Sequence, residues 1–158
     1  MEFKHPETNL KDKDMGLRRT GREYALQFLF TIDFNKDKIT NDAVDEKLSF
    51  FWENLNPDSN SQSREFAEKL IKTTIENNKK IDTFLKEVSE HWKIDRMSAV
   101  DRNILRIGIS EFLFFDDIDY DVTINESIEI AKKFGTEKSP SFINGVLDKV
   151  KKELSKKE

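Results

Sequence analysis

The chain has 158 residues, a usual size for a single domain and long enough to bury a sizeable core. Net charge is −4, and the absence of cysteine excludes disulfide frameworks, thiolate metal sites and cysteine nucleophiles. No apolar run approaches the roughly 20 residues that span a bilayer, and the N-terminus lacks the apolar stretch of a signal peptide. We therefore expect a cytoplasmic protein without a membrane partner.

The first third of the chain predicts a tail followed by two helices. Residues 1–15 are polar, charged and aperiodic, which predicts a flexible tail, and residues 16–158 are expected to form a single helical domain. Apolar residues at helical spacing predict a first helix over 17–33 and a second over about 41–55. The apolar stripe of the first helix consists of Ala25, Phe28, Leu29 and Ile32.

The segment 98–115 is predicted to be the central helix, because it is apolar on nearly every side and such helices are normally surrounded by others. Ser98 and Asp101 suit its start, where a hydroxyl caps a free N–H and an acid meets the positive end of the helix dipole. Gly108 predicts that a second helix approaches closely. For Glu111, a buried ion pair with an arginine from elsewhere is favoured over an acid of raised pKa.

Four further helices are predicted: two lie between the second helix and the central one, and two follow the central helix. Thr123 and Glu126 form the pattern of a capping box at a helix start. Ser139 followed by Pro140 is typical of the start of the last helix. No segment shows sustained alternation with a period of two. The sequence therefore predicts an all-α fold of about seven helices.

The sequence shows little that could carry catalysis. It has no glycine-rich phosphate loop and no paired Glu-x-x-His motif, and its only histidines are His5 and His91. A Ser-His-Asp arrangement therefore has almost no candidates, and a lone histidine does not make a metal site. We expect a binding protein rather than an enzyme, with no cofactor and no metal.

Arginines cluster at the start of the first helix, where Arg18, Arg19 and Arg22 fall within five residues. Arg18 and Arg22 continue the stripe of Ala25 backwards, which indicates that the first turns project beyond the core and meet an anionic partner. Cations at a helix N-terminus oppose the helix dipole, which favours a functional role. The alternative is that they pair with surface acids, such as Glu23 four residues after Arg19.

Three stretches combine polar and apolar residues in long, specific orders. They are RRTGREYALQFLF at 18–30, HWKIDRMSAVDRNILRIGISEF at 91–112 and VTINESIEIAKKFGTEKSPSFINGVLDKV at 122–150. Together they resemble the NusB family of bacterial transcription antitermination factors. The resemblance implies two packed helical sub-bundles around the buried central helix. It also implies binding to the boxA element of nascent ribosomal RNA together with NusE, a small-subunit ribosomal protein, within the RNA polymerase elongation complex.

The resemblance also implies roles for particular residues. Arg18, Arg19 and Arg22 match an arginine-rich motif that contacts single-stranded RNA, although Thr20 and Gly21 interrupt the run. Phe142 matches a position that contacts RNA, where its ring could stack on a base. The partner-binding positions implied for NusE are Phe30, Asp101 and Lys138, the last being a cation where some relatives carry an acid.

Two alternatives from other classes remain open at this point. The same helical domain occurs at the N-terminus of some ribosomal RNA cytosine methyltransferases, in which case the chain would be a fragment of an enzyme. A bundle that binds only proteins, with the arginines as surface charge, is the second alternative. The sequence is compatible with a monomer or a homodimer, and it does not reveal the RNA sequence recognised.

Overall fold

The computed structural model describes residues 10–35, 41–55, 61–89, 91 and 93–157. Within these residues the chain is helical and contains no strand, which confirms the predicted all-α fold of about seven helices. The helices are α1 (Leu10–Asn35), α2 (Asn41–Asn54), α3 (Ser61–Glu76), α4 (Asn78–Val88), α5 (Ala99–Phe114), α6 (Tyr120–Phe134) and α7 (Ser139–Lys156), with a short 3₁₀ helix at Ile94–Arg96.

Helix α5 is the centre of the fold, as predicted. It packs against α1, α3, α4, α6 and α7, while α1 pairs closely with α3 and α6 with α7. The Ser98 hydroxyl accepts a hydrogen bond from the backbone N–H of Asp101 at 3.1 Å, so the predicted cap is confirmed. A Cβ atom at Gly108 would lie 3.0 Å from Cδ2 of Leu147, so the predicted close approach of a second helix is confirmed and is made by α7.

The structure corrects two predicted helix starts. Helix α1 begins at Leu10 instead of residue 17, because the apolar periodicity of the sequence does not extend into residues 10–16. Of the predicted flexible tail, residues 1–9 lie outside the described residues. The capping box at Thr123 and Glu126 is wrong, since α6 begins three residues earlier, at Tyr120.

Candidate nucleic-acid interface

Arg18 lies on the surface where α1 passes the turn between α5 and α6. Its Nη2 donates to Oδ2 of Asp117 at 2.8 Å, and the two side chains are 39% and 61% exposed. The guanidinium also lies 5.3 Å from the centre of the Phe66 ring on α3, a cation–π distance. The hydrogen bond from Arg18 lowers the pKa of Asp117, so the carboxylate stays ionised at neutral pH. Arg18 is therefore exposed, but it already forms an ion pair with a carboxylate of the protein itself.

Arg19 is half exposed and binds a buried carboxylate. Its Nε and Nη2 donate to the two oxygens of Glu126 on α6, at 2.7 and 2.9 Å. These hydrogen bonds raise the pKa of Arg19, which keeps the guanidinium charged. The alternative pairing of Arg19 with Glu23 is wrong, because Glu23 accepts instead from Nζ of Lys133 at 3.1 Å. Arg19 thus keeps one side towards solvent while its geometry is fixed by a bidentate contact.

Arg22 does not lie on the surface, so the prediction that all three arginines are exposed is wrong for this residue. Its side chain is 2% exposed and donates to both oxygens of Glu111 on α5, at 2.7 and 2.8 Å. Thr123 also donates to Glu111, at 3.0 Å, which explains why its hydroxyl does not cap α6. The stripe that Arg22 continues from Ala25 faces the core here as well. The ion pair predicted for Glu111 is confirmed.

A second cationic site surrounds Phe142, at the start of α7. It is a cavity of about 510 Å³. Its lining consists of His91, Lys93, Arg96, Met97, Ser98, Asp101, Lys138 and Phe142. The structure thus brings the predicted RNA-contacting Phe142 together with two predicted partner-binding residues, Asp101 and Lys138. We call this site the Phe142 pocket.

The charges of the Phe142 pocket are not matched in pairs. Within the described part of the chain, Lys93, Arg96 and Lys138 form no ion pair. Oδ1 of Asp101 is buried and accepts no hydrogen bond from any described residue. Lys93 and Arg96 were missed by sequence reasoning, although both lie in the stretch 91–112, because nothing local to them indicates a neighbour on α7.

Phe30, the third predicted partner-binding residue, lies outside this pocket on α1 and is 39% exposed. One turn later, Asp33 accepts hydrogen bonds from Arg102 at 2.8 Å and Asn103 at 2.9 Å, near the start of α5. Burial raises the pKa of Asp33, but the hydrogen bonds from Arg102 and Asn103 and the charges of Arg102 and Arg106 together outweigh it, and the pKa is lowered overall. This contact places Phe30 near the end of the molecule that carries Asp101.

Helix α6 connects the arginine end of α1 with the Phe142 pocket. Asp117, the partner of Arg18, precedes α6, whereas Lys138 follows its last residue, Phe134. The 15 residues of α6 span about 22 Å at 1.5 Å per residue. Between its ends, Glu126 binds Arg19 and Lys133 binds Glu23, and these two ion pairs mark a line that connects α6 with α1. We call this line the α1–α6 seam.

Other kinds of site are not found in the described residues. In that part of the chain, no group of three or more histidine, aspartate or glutamate residues is placed to hold a metal ion. None of the helices formed by these residues is long and apolar enough to cross a membrane. The fold and its two cationic sites define a class, an all-helical protein that presents arginine, lysine and aromatic side chains along one seam.

Comparison with known proteins identifies the family. The family model described as "NusB family" matches residues 19–152. A transcription antitermination protein NusB from Thermodesulfovibrio yellowstonii is 45% identical over 139 residues, which cover 86% of this chain and 92% of the relative. The chain belongs to the NusB family, and the family prediction is confirmed.

Solved structures of the family share the fold. A structure of T. maritima NusB matches with a TM-score of 0.74 and 38% identity, covering 86% of this chain and 91% of that one. A crystal structure of the antitermination factors NusB and NusE in complex with double-stranded RNA matches with a TM-score of 0.73 and 28% identity, covering 87% and 98%. The relative from Thermodesulfovibrio yellowstonii is a transcription antitermination protein rather than an RNA methyltransferase, in agreement with the prediction that the chain is not an enzyme.

Proposed function

We propose that this chain is a cytoplasmic, RNA-binding transcription antitermination factor. It binds the boxA element of nascent ribosomal RNA together with NusE and joins the elongating RNA polymerase. The names of its relatives and the NusB–NusE complex with RNA support this proposal. The observation that carries it for this chain is the α1–α6 seam, which ends in exposed arginines on one side and in the Phe142 pocket on the other.

Single-stranded RNA follows the α1–α6 seam in this proposal. Arg18 and Arg19 contact phosphates at one end, and Lys93, Arg96 and Lys138 contact phosphates about 22 Å away. At that end the half-buried Phe142 offers a ring face on which a base stacks, a contact that favours single strands over duplexes. Arg22 does not contact RNA in this proposal. It stabilises the fold, because its guanidinium is buried and paired with Glu111.

The partner surface adjoins the RNA site. Asp101 and Lys138 line the same pocket as Phe142, and Phe30 lies near that end of the molecule. A NusE molecule docked over these residues would add its own contacts to the RNA held in the pocket. Because the chain is acidic overall, unspecific RNA is repelled and the cationic seam alone binds weakly. When a second protein binds the same strand and also binds this chain, the RNA is held close to the seam at a high effective concentration, which raises the affinity.

The test is a titration of labelled boxA RNA and of a scrambled RNA of equal length, with and without NusE. We expect preference for boxA, and a gain in affinity when NusE is present. Phe142→Ala and Arg19→Ala should each weaken boxA binding, whereas Lys149→Ala, which removes an exposed charge on α7 outside the seam, should not.

Equal binding of boxA and scrambled RNA by every variant would overturn the assignment of the seam. If the protein bound NusE but no RNA, the alternative of a module that binds only proteins would hold instead. Thermal melting of each variant separates a lost contact from a lost fold.

A further inference from the structure

A second feature of the arginine end of α1 involves α3, which carries no residue assigned to RNA so far. Lys69 is exposed on α3, and its Nζ lies 4.7 Å from the centre of the Phe115 ring. The rings of Phe66 and Phe115 meet edge to face with their centres 6.0 Å apart. Arg18 lies over the first ring and Lys69 over the second, so two neighbouring rings each carry a cation.

The Asp117 carboxylate is held beside these two cations. It accepts a hydrogen bond from Arg18, while the charge of Lys69 adds to that of Arg18 in lowering the pKa of Asp117. Lys69 makes no ion pair within the described residues. An open cavity of about 370 Å³ adjoins the pair and is lined by Leu17, Arg18, Gln62, Glu65, Phe66 and Lys69. The arrangement is an anion site that contains an anion of the protein itself.

We propose that Arg18 and Lys69 form a binding site for a phosphodiester of the RNA backbone, and that Asp117 is its internal occupant, which the phosphate displaces. The inference rests on the proposed function and deepens it, because it adds a phosphate contact on α3 and a residue that sets affinity. A carboxylate and a phosphodiester each carry one negative charge and accept hydrogen bonds from a guanidinium, so one replaces the other without a net change of charge at Arg18.

The exchange costs little because Asp117 is well exposed. With 61% of its side chain in contact with solvent, the released carboxylate is hydrated at once. Exposed ion pairs of this kind contribute little to stability. Asp117 therefore lowers RNA affinity by a small factor in the free protein. Its removal leaves the Arg18 guanidinium without an internal anion and should strengthen binding.

The experiment measures the affinity of single-stranded boxA RNA for variants of the full chain at several salt concentrations. Asp117→Asn should bind about two- to five-fold more tightly, which corresponds to the loss of a competing exposed ion pair. Lys69→Ala should bind more weakly, and its log–log salt slope should fall by about 0.7, the contribution of one phosphate contact on single-stranded RNA. The gain from Asp117→Asn should disappear in the double variant with Arg18→Ala.

Two matched controls separate this site from general charge effects. Asp121→Asn removes an acid four residues after Asp117 that pairs with Lys151 at 2.7 Å. Lys80→Ala removes an exposed lysine that lies over the Phe114 ring at 5.4 Å, as Lys69 lies over Phe115. Both controls should bind RNA with the affinity of the parent protein.

Unchanged or weaker binding by Asp117→Asn, or unchanged binding by Lys69→Ala, would overturn this inference. If Arg19→Ala and Phe142→Ala still weakened binding in that case, the proposed function would stand without it. If none of these variants changed RNA affinity, the proposed function itself would fail. Equal gains from Asp117→Asn and Asp121→Asn would mean that net charge alone is responsible, which also contradicts a specific site.

Discussion

The arginine end of α1 and the Phe142 pocket are both cationic, but they hold their charges differently. At the arginine end, each of the three guanidiniums faces a carboxylate of α5, α6 or the turn between them. In the pocket, Lys93, Arg96 and Lys138 have no ion-pair partner among the described residues. The difference teaches that the number of cations in a stretch does not measure the charge available to a ligand.

The difference follows from the elements that carry the residues. Helix α1 lies against α3 and α5, so a side chain on its inner face must be buried or paired. The pocket is built instead from the 3₁₀ helix at Ile94–Arg96, its flanking residues, and the start of α7, where long side chains reach solvent. The α1 arginines therefore hold helices together, while the pocket cations form no ion pair with a described residue.

The largest effect should come from Arg22, the most deeply buried charge of the comparison. Arg22→Ala should lower the free energy of unfolding by about 3–5 kcal/mol, because it leaves the Glu111 carboxylate buried without its partner. Urea unfolding monitored by circular dichroism measures the change. Arg19→Ala, one turn earlier and half exposed, is the comparison variant and should cost less, because Arg22 still lies 4.0 Å from the Glu126 carboxylate that loses its partner.

A double variant tests whether the cost lies in the broken pair rather than in lost packing. Arg22→Met combined with Glu111→Leu removes both charges and keeps most of the volume, so it should be more stable than Arg22→Ala. A double variant no more stable than Arg22→Ala would indicate that the guanidinium is needed for contacts beyond Glu111, such as the Phe66 ring 5.4 Å away.

Arg22 also shows what the sequence could predict and what it could not. Periodicity predicted the helices and the central position of α5, because burying one face of a helix leaves a repeating pattern in the chain. It placed Arg22 on the stripe that continues Ala25, although the expectation was that the stripe projects beyond the core there. It also placed Glu111 in the apolar helix, but it did not predict that the two residues lie opposite one another. The two residues are 89 positions apart, and no local pattern encodes such a pairing.

The Phe142 pocket was harder to predict for the same reason. Its lining comes from three separate segments around Lys93, Asp101 and Lys138, each of which is unremarkable alone. A stretch without apolar periodicity in the sequence, such as residues 10–16 of α1, also gives no signal of a helix. At α6, the Thr123 hydroxyl suited a cap in sequence, but the helix begins at Tyr120 and the hydroxyl donates to the Glu111 carboxylate instead.

The next largest effect should be on RNA affinity at the pocket. Phe142→Ala should weaken boxA binding by about 1–3 kcal/mol if a base stacks on the ring, with the salt slope nearly unchanged because no charge is removed. Fluorescence anisotropy at several salt concentrations measures both quantities. A melting temperature lowered as far as that of a core variant would show that Phe142 packs rather than stacks, since core Phe→Ala changes cost about 3–5 kcal/mol.

Charge removal at the two regions should give a smaller and unequal effect. Lys138→Ala and Arg19→Ala should each lower the salt slope by about 0.7 if each side chain contacts one phosphate. Lys138→Ala should lose more affinity, because Glu126 already offsets part of the charge of Arg19. The same anisotropy titrations provide the comparison. A larger loss for Arg19→Ala would contradict the distinction between matched and unmatched cations.

The smallest effect should be on the pH dependence of stability, at the Arg18–Asp117 pair. Arg18 lowers the pKa of Asp117 in the folded protein, below the value of about 3.9 expected when unfolded. The pair therefore stabilises the fold fully above about pH 4, and this contribution is lost as the pH falls through the lower, folded-state pKa. Because Asp117 is 61% exposed, solvent screens the pair, and the contribution lies at the low end of roughly 0.2–1 kcal/mol.

Urea unfolding of the parent and of Asp117→Asn between pH 7 and pH 2 isolates this contribution from those of other carboxylates such as Asp33, which both proteins share. The stability difference should be small at pH 7 and should vanish towards pH 2, where Asp117 is protonated in both the folded and unfolded chain. A difference at pH 7 as large as the one expected for Arg22→Ala would mean that Arg18 is locked in place. In that case Arg18 could not exchange the Asp117 carboxylate for a phosphate, and all three arginines at this end of α1 would serve only to stabilise the fold.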